Sequence, residues 1–222
     1  MVVRSEEPLA VREGEHNAWE LVNETQKRRA KRGWLIPQPA HSALSGEMAK
    51  HLSPAHFPGL TEAVVRAIAL HDTGWSLFDA EQVASRNTAG FVPTPFIEER
   101  PQVFLSAWTG SIDVVERIGA AEGYMVSRHF ASLGKEPSAS YGAAERESIE
   151  GFQQSEEARQ ERLLAASGVS KSELEALLQA NRFCDLLSLF LCVNLEFAGG
   201  AVATFSQRAV EGAPYRLGFD GG

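Results

Sequence analysis

The apolar positions of this chain recur every three or four residues over most of its length, the spacing that gathers them on one face of an α-helix. The pattern predicts helices, in chain order, at 16–32, 40–52, 61–70, 101–119, 120–133, 141–166 and 170–193. We therefore expect an all-α fold. It would be a single domain over residues 1–222, a bundle of about six or seven helices with its core at about 38–198. The N-terminal arm and the C-terminal tail would be peripheral.

Three segments do not follow the helical period. Residues 1–15 alternate weakly and read as a short strand or an arm. Residues 74–100 contain glycines, prolines and four aromatic residues, which predicts a long aromatic-rich loop that forms a lid or wall over a site. After Gly199 and Gly200 the tail is short and polar, and its pattern allows either a β-hairpin or an irregular segment that covers the core.

Composition and charge narrow the class of protein. The formal net charge of −8 argues against a nucleic-acid partner or an anionic membrane surface, since both call for a basic face. The longest apolar run, 183–198, is too short and too polar to span a bilayer. Cys184 and Cys192 are eight positions apart in one helical run, about 12 Å along the axis, which is too far for a disulfide. We expect reduced, buried thiols in a cytoplasmic protein.

The candidate chemistry begins at His71 and Asp72, which follow the apolar helical run 64–70 and precede Gly74, a residue type that commonly ends helices. Adjacent side chains diverge within a helix, but they can converge where its last turn relaxes. Such a pair supplies one nitrogen and one oxygen ligand for a first-row divalent metal. His41 is a second candidate, because it lies three residues before the first member of a predicted inward stripe of Leu44, Met48 and Leu52.

Asp185 is the third candidate, because it interrupts the apolar run of the last predicted helix. An ionised carboxylate in such surroundings costs several kcal/mol unless a positive charge compensates it. Arg182, three residues earlier on the same helix face, is one compensating group, and a metal ion is the other.

The order His41, His71-Asp72, Asp185 resembles that of the HD-domain superfamily, metal-dependent phosphohydrolases with ligands of the form H…HD…D on a helical core. The resemblance spans roughly residues 38–195. Three short segments are similar to those of an uncharacterised bacterial branch of that superfamily: Gln38-Pro39-Ala40-His41, His71-Asp72-Thr73-Gly74-Trp75 and Ser127-Arg128-His129-Phe130. The resemblance implies an HD-type helical bundle that binds one divalent metal ion per chain, which would be Mn, Fe, Co, Ni or Zn. The ligands would be His41, His71, Asp72 and Asp185.

The resemblance also implies further roles. Asp72 and His129 would be catalytic, with His129 as a general acid to the leaving oxygen or as an extra ligand. Arg128 or Arg182 would hold a phosphate. Gln38 and Trp75 are the remaining substrate-binding candidates. The substrate would be a small anionic molecule, and a homodimer is left open.

Several functions agree with these residues. The leading hypothesis is a hydrolase that acts on a small phosphorylated metabolite or nucleotide through a metal-activated water. A di-iron HD-type oxygenase is an alternative, although only His129 lies between the His-Asp pair and Asp185, where dinuclear members usually have two more histidines. A ligand-binding or regulatory module that keeps the metal pocket without turnover is another. The last alternative is a helical bundle that binds no metal.

Overall fold

The computed structural model describes residues 1–28, 32–134, 141–205 and 215–220. Helices form the larger part of these ranges: α1 (Ala18–Lys27), α2 (Gln38–Ala49), α3 (Glu62–Leu70), α4 (Ser76–Ser85), α5 (Pro101–Glu116), α6 (Ala120–Leu133), α7 (Ala143–Ser167) and α8 (Lys171–Cys192). Short strands lie near the two ends of the chain: β1 (Val2–Ser5), β2 (Leu9–Val11), β3 (Gly14–Asn17), β4 (Gly33–Ile36), β5 (Leu195–Phe197), β6 (Ala201–Phe205) and β7 (Tyr215–Phe219).

The predicted all-α fold is wrong, because these strands form three small sheets and the architecture is mixed α/β. β1 pairs antiparallel with β4, and β2 pairs in parallel with β5. In the third sheet β6 lies between β3, to which it is parallel, and β7, to which it is antiparallel. Each strand has only three to five residues, so its alternation of apolar and polar side chains is too short to stand out in the sequence.

Two further predictions, one of a helix boundary and one of a loop, are also wrong. The helix predicted over 16–32 begins at Ala18, because residues 14–17 form β3, and it ends at Lys27; positions 29–31 lie outside the described residues. The long loop predicted over 74–100 contains α4, preceded by a 3₁₀ turn at Thr73–Trp75. Its glycines and prolines are concentrated after residue 89, and only that second half runs without a regular helix before a 3₁₀ turn at Phe96–Glu98.

Two predicted helix starts are confirmed in atomic detail. The side chain of Thr61 accepts a hydrogen bond from the backbone N–H of Val64 and caps α3. Ser170 and Glu173 form the reciprocal capping box of α8, each side chain bonding the backbone N–H of the other residue. These caps set where α3 and α8 begin, and both helices carry candidate ligands at or beyond their later turns.

The buried apolar side chains form two clusters, and α8 passes through both. Cys184 belongs to the cluster formed mainly with α3, α5, α6 and α7, whereas Leu186 belongs to one formed with α1 and the strands. Cys184 and Cys192 are both buried free thiols, as predicted. Asp185 therefore lies on α8 where one apolar cluster gives way to the other.

Helix α2 packs on α3 through small and polar residues. Its buried face consists of Gln38, His41, Ser42, Ser45, Gly46 and Ala49. A Cβ at Gly46 would overlap the side chain of Ala69, so the two helices approach closely and bring His41 beside the end of α3. The predicted stripe is partly wrong, because Leu44 is 36% exposed and the buried face is the one that carries His41.

Gly74 fixes the turn that follows α3. Its backbone N–H donates to Ser111 Oγ at 2.9 Å, and a Cβ at this position would overlap the carbonyl oxygen of Ala107 in α5. A glycine is needed because the turn lies against the backbone of α5.

Among the helices of the described residues, none combines the length and the apolar composition that a membrane crossing requires.

Candidate metal centre

The structure brings His41, His71, Asp72 and Asp185 together. One ligand atom from each of the four residues lies within 4.8 Å of the others. His41 Nε2 is 2.7 Å from Asp72 Oδ2, and His71 Nε2 is 3.3 Å from Asp185 Oδ1 and 3.5 Å from Asp72 Oδ2. Two imidazoles and two carboxylates at this spacing form a donor set that can hold a metal ion.

The end of α3 explains how two adjacent residues face one point. His71 still has helical backbone angles, φ −60° and ψ −25°, whereas Asp72 has left the helix with φ −110° and ψ 18°. The backbone N–H of Asp72 donates to Ser42 Oγ at 3.3 Å instead of continuing the helix ladder. The change of direction between the two residues lets both side chains converge, as the sequence predicted.

The imidazole of His71 is oriented by the backbone of its own helix. Its Nδ1 is 2.7 Å from the carbonyl oxygen of Ile68, which can only accept a hydrogen bond, so Nδ1 carries the proton. The other nitrogen, Nε2, faces Asp72 and Asp185. A neutral His71 therefore presents a free lone pair to the two carboxylates, as a metal ligand must.

The imidazole of His41 is oriented by a chain of serine hydroxyls. Ser188 Oγ donates to the carbonyl oxygen of Asp185 at 2.8 Å, so it accepts from His41 Nδ1 at 2.9 Å. Ser45 Oγ donates to Ser188 Oγ at 2.8 Å and takes up its remaining acceptor capacity. His41 Nδ1 thus carries the proton, and Nε2 again faces the carboxylates.

Burial and charge act in opposite directions on the two groups that face each other across the centre. Burial alone lowers the pKa of His71, but the charges of Asp72 and Asp185 and the hydrogen bond to Asp185 raise it to about 9. Burial alone raises the pKa of Asp185, but the hydrogen bond from His71 and the neighbouring imidazoles hold it well below its usual range. The two carboxylates thus draw a positive charge to the point that His71 Nε2 faces.

His129 adjoins this cluster from α6. Its Nε2 is 3.5 Å from Asp185 Oδ2, and its ring lies edge-on to that of His71 with centroids 5.6 Å apart. Burial, together with the positive charges of His71 and Arg182, lowers the pKa of His129 to about 4, although Asp185 and Asp72 act to raise it. His129 is therefore a neutral imidazole near pH 7. Its Nδ1 is buried and has no hydrogen-bond partner among the described residues.

The four predicted substrate-binding residues have different surroundings. Trp75 is 2% exposed and packs in the apolar core, with its ring 6.4 Å from that of Phe78. Gln38 lies buried in the first turn of α2, and its backbone N–H donates to Asp79. Arg128 is half-buried on α6 and Arg182 is buried on α8. Gln38 shares the buried face of α2 with His41, whereas Arg128 directly precedes His129 and Arg182 precedes Asp185 by one helical turn.

Sequence reasoning missed the serines that hydrogen-bond the candidate ligands or one another, Ser42, Ser45 and Ser188, and it also missed the buried Asn181. Three of them had a usable signal, because Ser42 and Ser45 share the helix face of His41, and Ser188 lies one turn beyond Asp185. Asn181 lies one turn before Asp185 and is fully buried. A helix face that carries a candidate ligand together with small polar residues is thus a stronger indication of a site than the ligand alone.

The comparisons with known proteins identify a family. A family model described as "Protein of unknown function (DUF3891)" matches residues 21–213, and the chain belongs to this family. The matched range contains all four clustered residues and His129. The search of curated proteins and the search of solved structures each found no match.

Proposed function

We propose that this member of the DUF3891 family is a metal-dependent hydrolase that binds one divalent ion between His41, His71, Asp72 and Asp185 and acts on a small phosphorylated molecule. One observation carries the proposal: two imidazoles with protonated Nδ1 atoms face two carboxylates with their Nε2 atoms, all within 4.8 Å. The order H…HD…D, which resembles that of the HD-domain superfamily, supports the phosphohydrolase class.

The donor set suits a first-row divalent ion on chemical grounds. Two neutral imidazoles and two carboxylates give mixed nitrogen and oxygen ligation, which fits Mn, Fe, Co, Ni or Zn. The supporting hydrogen bonds hold Nδ1 of both rings protonated, which leaves Nε2 as the atom that would bind the metal. The ion would displace the proton that the raised pKa of about 9 keeps on His71 near pH 7. Four ligands from one chain are consistent with one ion.

A bound divalent ion would supply a water of lowered pKa and polarise a phosphoryl oxygen. The residues of this chain would do the rest. The side chain of Asp185 is 16% exposed, against 7% for Asp72 and 0% for both histidines, so substrate would approach from the Asp185 side. Water would be excluded elsewhere by the apolar clusters on either side of Asp185.

His129 is the residue placed to move a proton. As a neutral imidazole it can accept one from an attacking water. The proton-donor role predicted from the sequence requires a higher pKa, and an anionic substrate beside His129 would raise it. Both roles need the imidazole near Asp185, where its Nε2 lies at 3.5 Å.

Phosphate release tests this function. Protein stripped with EDTA would be reloaded in turn with each of the five metals and assayed against phosphomonoesters and nucleotides. We expect at least one metal to restore activity, with kcat at least 100-fold lower in His71→Gln and unchanged in His51→Gln, a matched variant at an exposed histidine. Fully loaded protein that releases no phosphate from any substrate would overturn the proposal.

A further inference from the structure

Three polar residues beside the metal centre lack the partners that buried polar groups normally have. Asn181 is 0% exposed, and neither its Oδ1 nor its Nδ2 has a hydrogen-bond partner among the described residues. Arg182 is 6% exposed, and within the same ranges no carboxylate lies within 4.0 Å of its guanidinium. The Nε of Arg128 is buried and also has no partner in those ranges.

These residues adjoin the site on two helices. Asn181 and Arg182 precede Asp185 on α8 by four and three residues, so they lie on its side of the helix, about one turn away. Arg128 directly precedes His129 on α6. Burial lowers the pKa of Arg182, the charge of Glu175 raises it, and the charge of Arg128 lowers it, so the two guanidinium groups lie near each other and near Glu175.

The local charge balance favours an anion. The carboxylate near the two arginines belongs to Glu175, and it is 4.0 Å from Arg128 and 40% exposed in its side chain. Formally, two arginines and one glutamate leave one positive charge. A divalent ion between Asp72 and Asp185 would leave the metal centre neutral, so the arginine side would supply the attraction for an anion.

We propose that Arg128, Asn181 and Arg182 form an anion-binding subsite that holds a phosphate group beside the metal centre. Guanidinium groups donate paired hydrogen bonds to phosphate oxygens, and the Asn181 amide adds a donor. The anion would satisfy the unpartnered groups and separate the two arginines. The identification of this phosphate as part of the substrate rests on the proposed function, whereas the binding of phosphate does not.

Calorimetry with inorganic phosphate tests the subsite at constant ionic strength, on protein stripped of metal. We expect the stripped wild-type protein to bind phosphate, but more weakly than metal-loaded protein, because the charges of Asp72 and Asp185 are then not neutralised by an ion. Arg182→Met should weaken binding about 10- to 100-fold, the range for losing one charged hydrogen-bonding group. Asn181→Ala should weaken it less, and Arg66→Met, at an exposed arginine, should leave it unchanged.

Thermal unfolding distinguishes a binding role from a structural one. Methionine keeps the packing of the arginine stem and removes an unpaired buried charge, so Arg182→Met should unfold at the same Tm as wild type or higher without phosphate. A lower Tm together with unchanged phosphate affinity would assign Arg182 a structural role and overturn the proposal. If Arg182→Met does not fold, Arg182→Lys applies the same test, since it keeps the charge and loses the paired geometry.

The outcome separates the two proposals. Stripped protein that does not bind phosphate, or that binds it only after metal is restored, overturns the subsite and leaves the hydrolase open. Phosphate binding that is lost in Arg182→Met supports the subsite even if no metal supports turnover.

Discussion

The hydrogen bond between His41 and Ser188 allows a sharp prediction about the metal centre. Ser188→Ala removes the hydroxyl that accepts from His41 Nδ1 at 2.9 Å. Ser45, which donates to Ser188, would keep two other acceptors, because its Oγ also lies 3.2 Å from the carbonyl oxygen of His41 and 3.3 Å from that of Cys184. The uncompensated loss therefore falls on one imidazole N–H.

The magnitude follows from what His41 can do afterwards. Without metal, its proton can move to Nε2 and bond Asp72 Oδ2, which lies 2.7 Å away, so we expect unfolding stability to change by about 1 kcal/mol or less. A metal requires the Nε2 lone pair and forces the proton back to an unpartnered Nδ1. A buried unpaired donor costs about 1–3 kcal/mol, which corresponds to roughly a 10- to 100-fold loss of metal affinity.

A competition titration against a chromophoric chelator measures that affinity, and urea unfolding of the stripped protein measures stability. Ser148→Ala is the matched control, because Ser148 also donates to a backbone carbonyl of its own helix but lies exposed on α7. Equal metal affinities in Ser188→Ala and wild type would refute the assignment of the His41 tautomer.

Three further predictions concern the scaffold. Gly74→Ala should lower the unfolding free energy by about 3 kcal/mol or more in urea titrations, because its Cβ would overlap the Ala107 carbonyl. Ser170→Ala should cost about 1 kcal/mol in the same assay through loss of the α8 cap. Burial raises the pKa of Glu156 above 4.5, despite the hydrogen bond from Ser127, so its contribution to stability is present below pH 4.5 and is lost as pH rises through the raised pKa. Glu156→Gln should therefore lose less stability than wild type between pH 4.5 and 8, and equal losses would contradict the burial argument.

The sequence predicted three of the candidate ligands, His71, Asp72 and Asp185, because each is polar in an apolar setting. Asp185 interrupts an apolar helix, and His71 and Asp72 end one, so both positions need a physical reason to be polar. The structure brings these residues and His41 to one point. The roles of His41, His71, Asp72 and Asp185 as bound metal ligands remain predictions, as do those of Arg128, His129, Gln38 and Trp75 in catalysis or substrate binding.

Other features were beyond a reading of one sequence. The strands are too short for a clear period, and β2 and β3 pair with segments more than 180 residues away. Leu44 shows why apolar spacing alone misled, since close approach of α2 to α3 at Gly46 selects the face with small residues. The placement of Trp75 in the core depends on how the turn after α3 packs against α5, which the spacing of apolar residues around Trp75 does not encode.

Equilibrium dialysis followed by elemental analysis tests the central claim most directly. Stripped wild-type protein and Asp185→Asn would be dialysed separately against Mn, Fe(II), Co, Ni and Zn. We predict one tightly held ion per chain for wild type with at least one of these metals, and less than a tenth of that for Asp185→Asn. Wild-type protein that retains none of the five metals, or an Asp185→Asn variant that retains as much as wild type, would contradict the account.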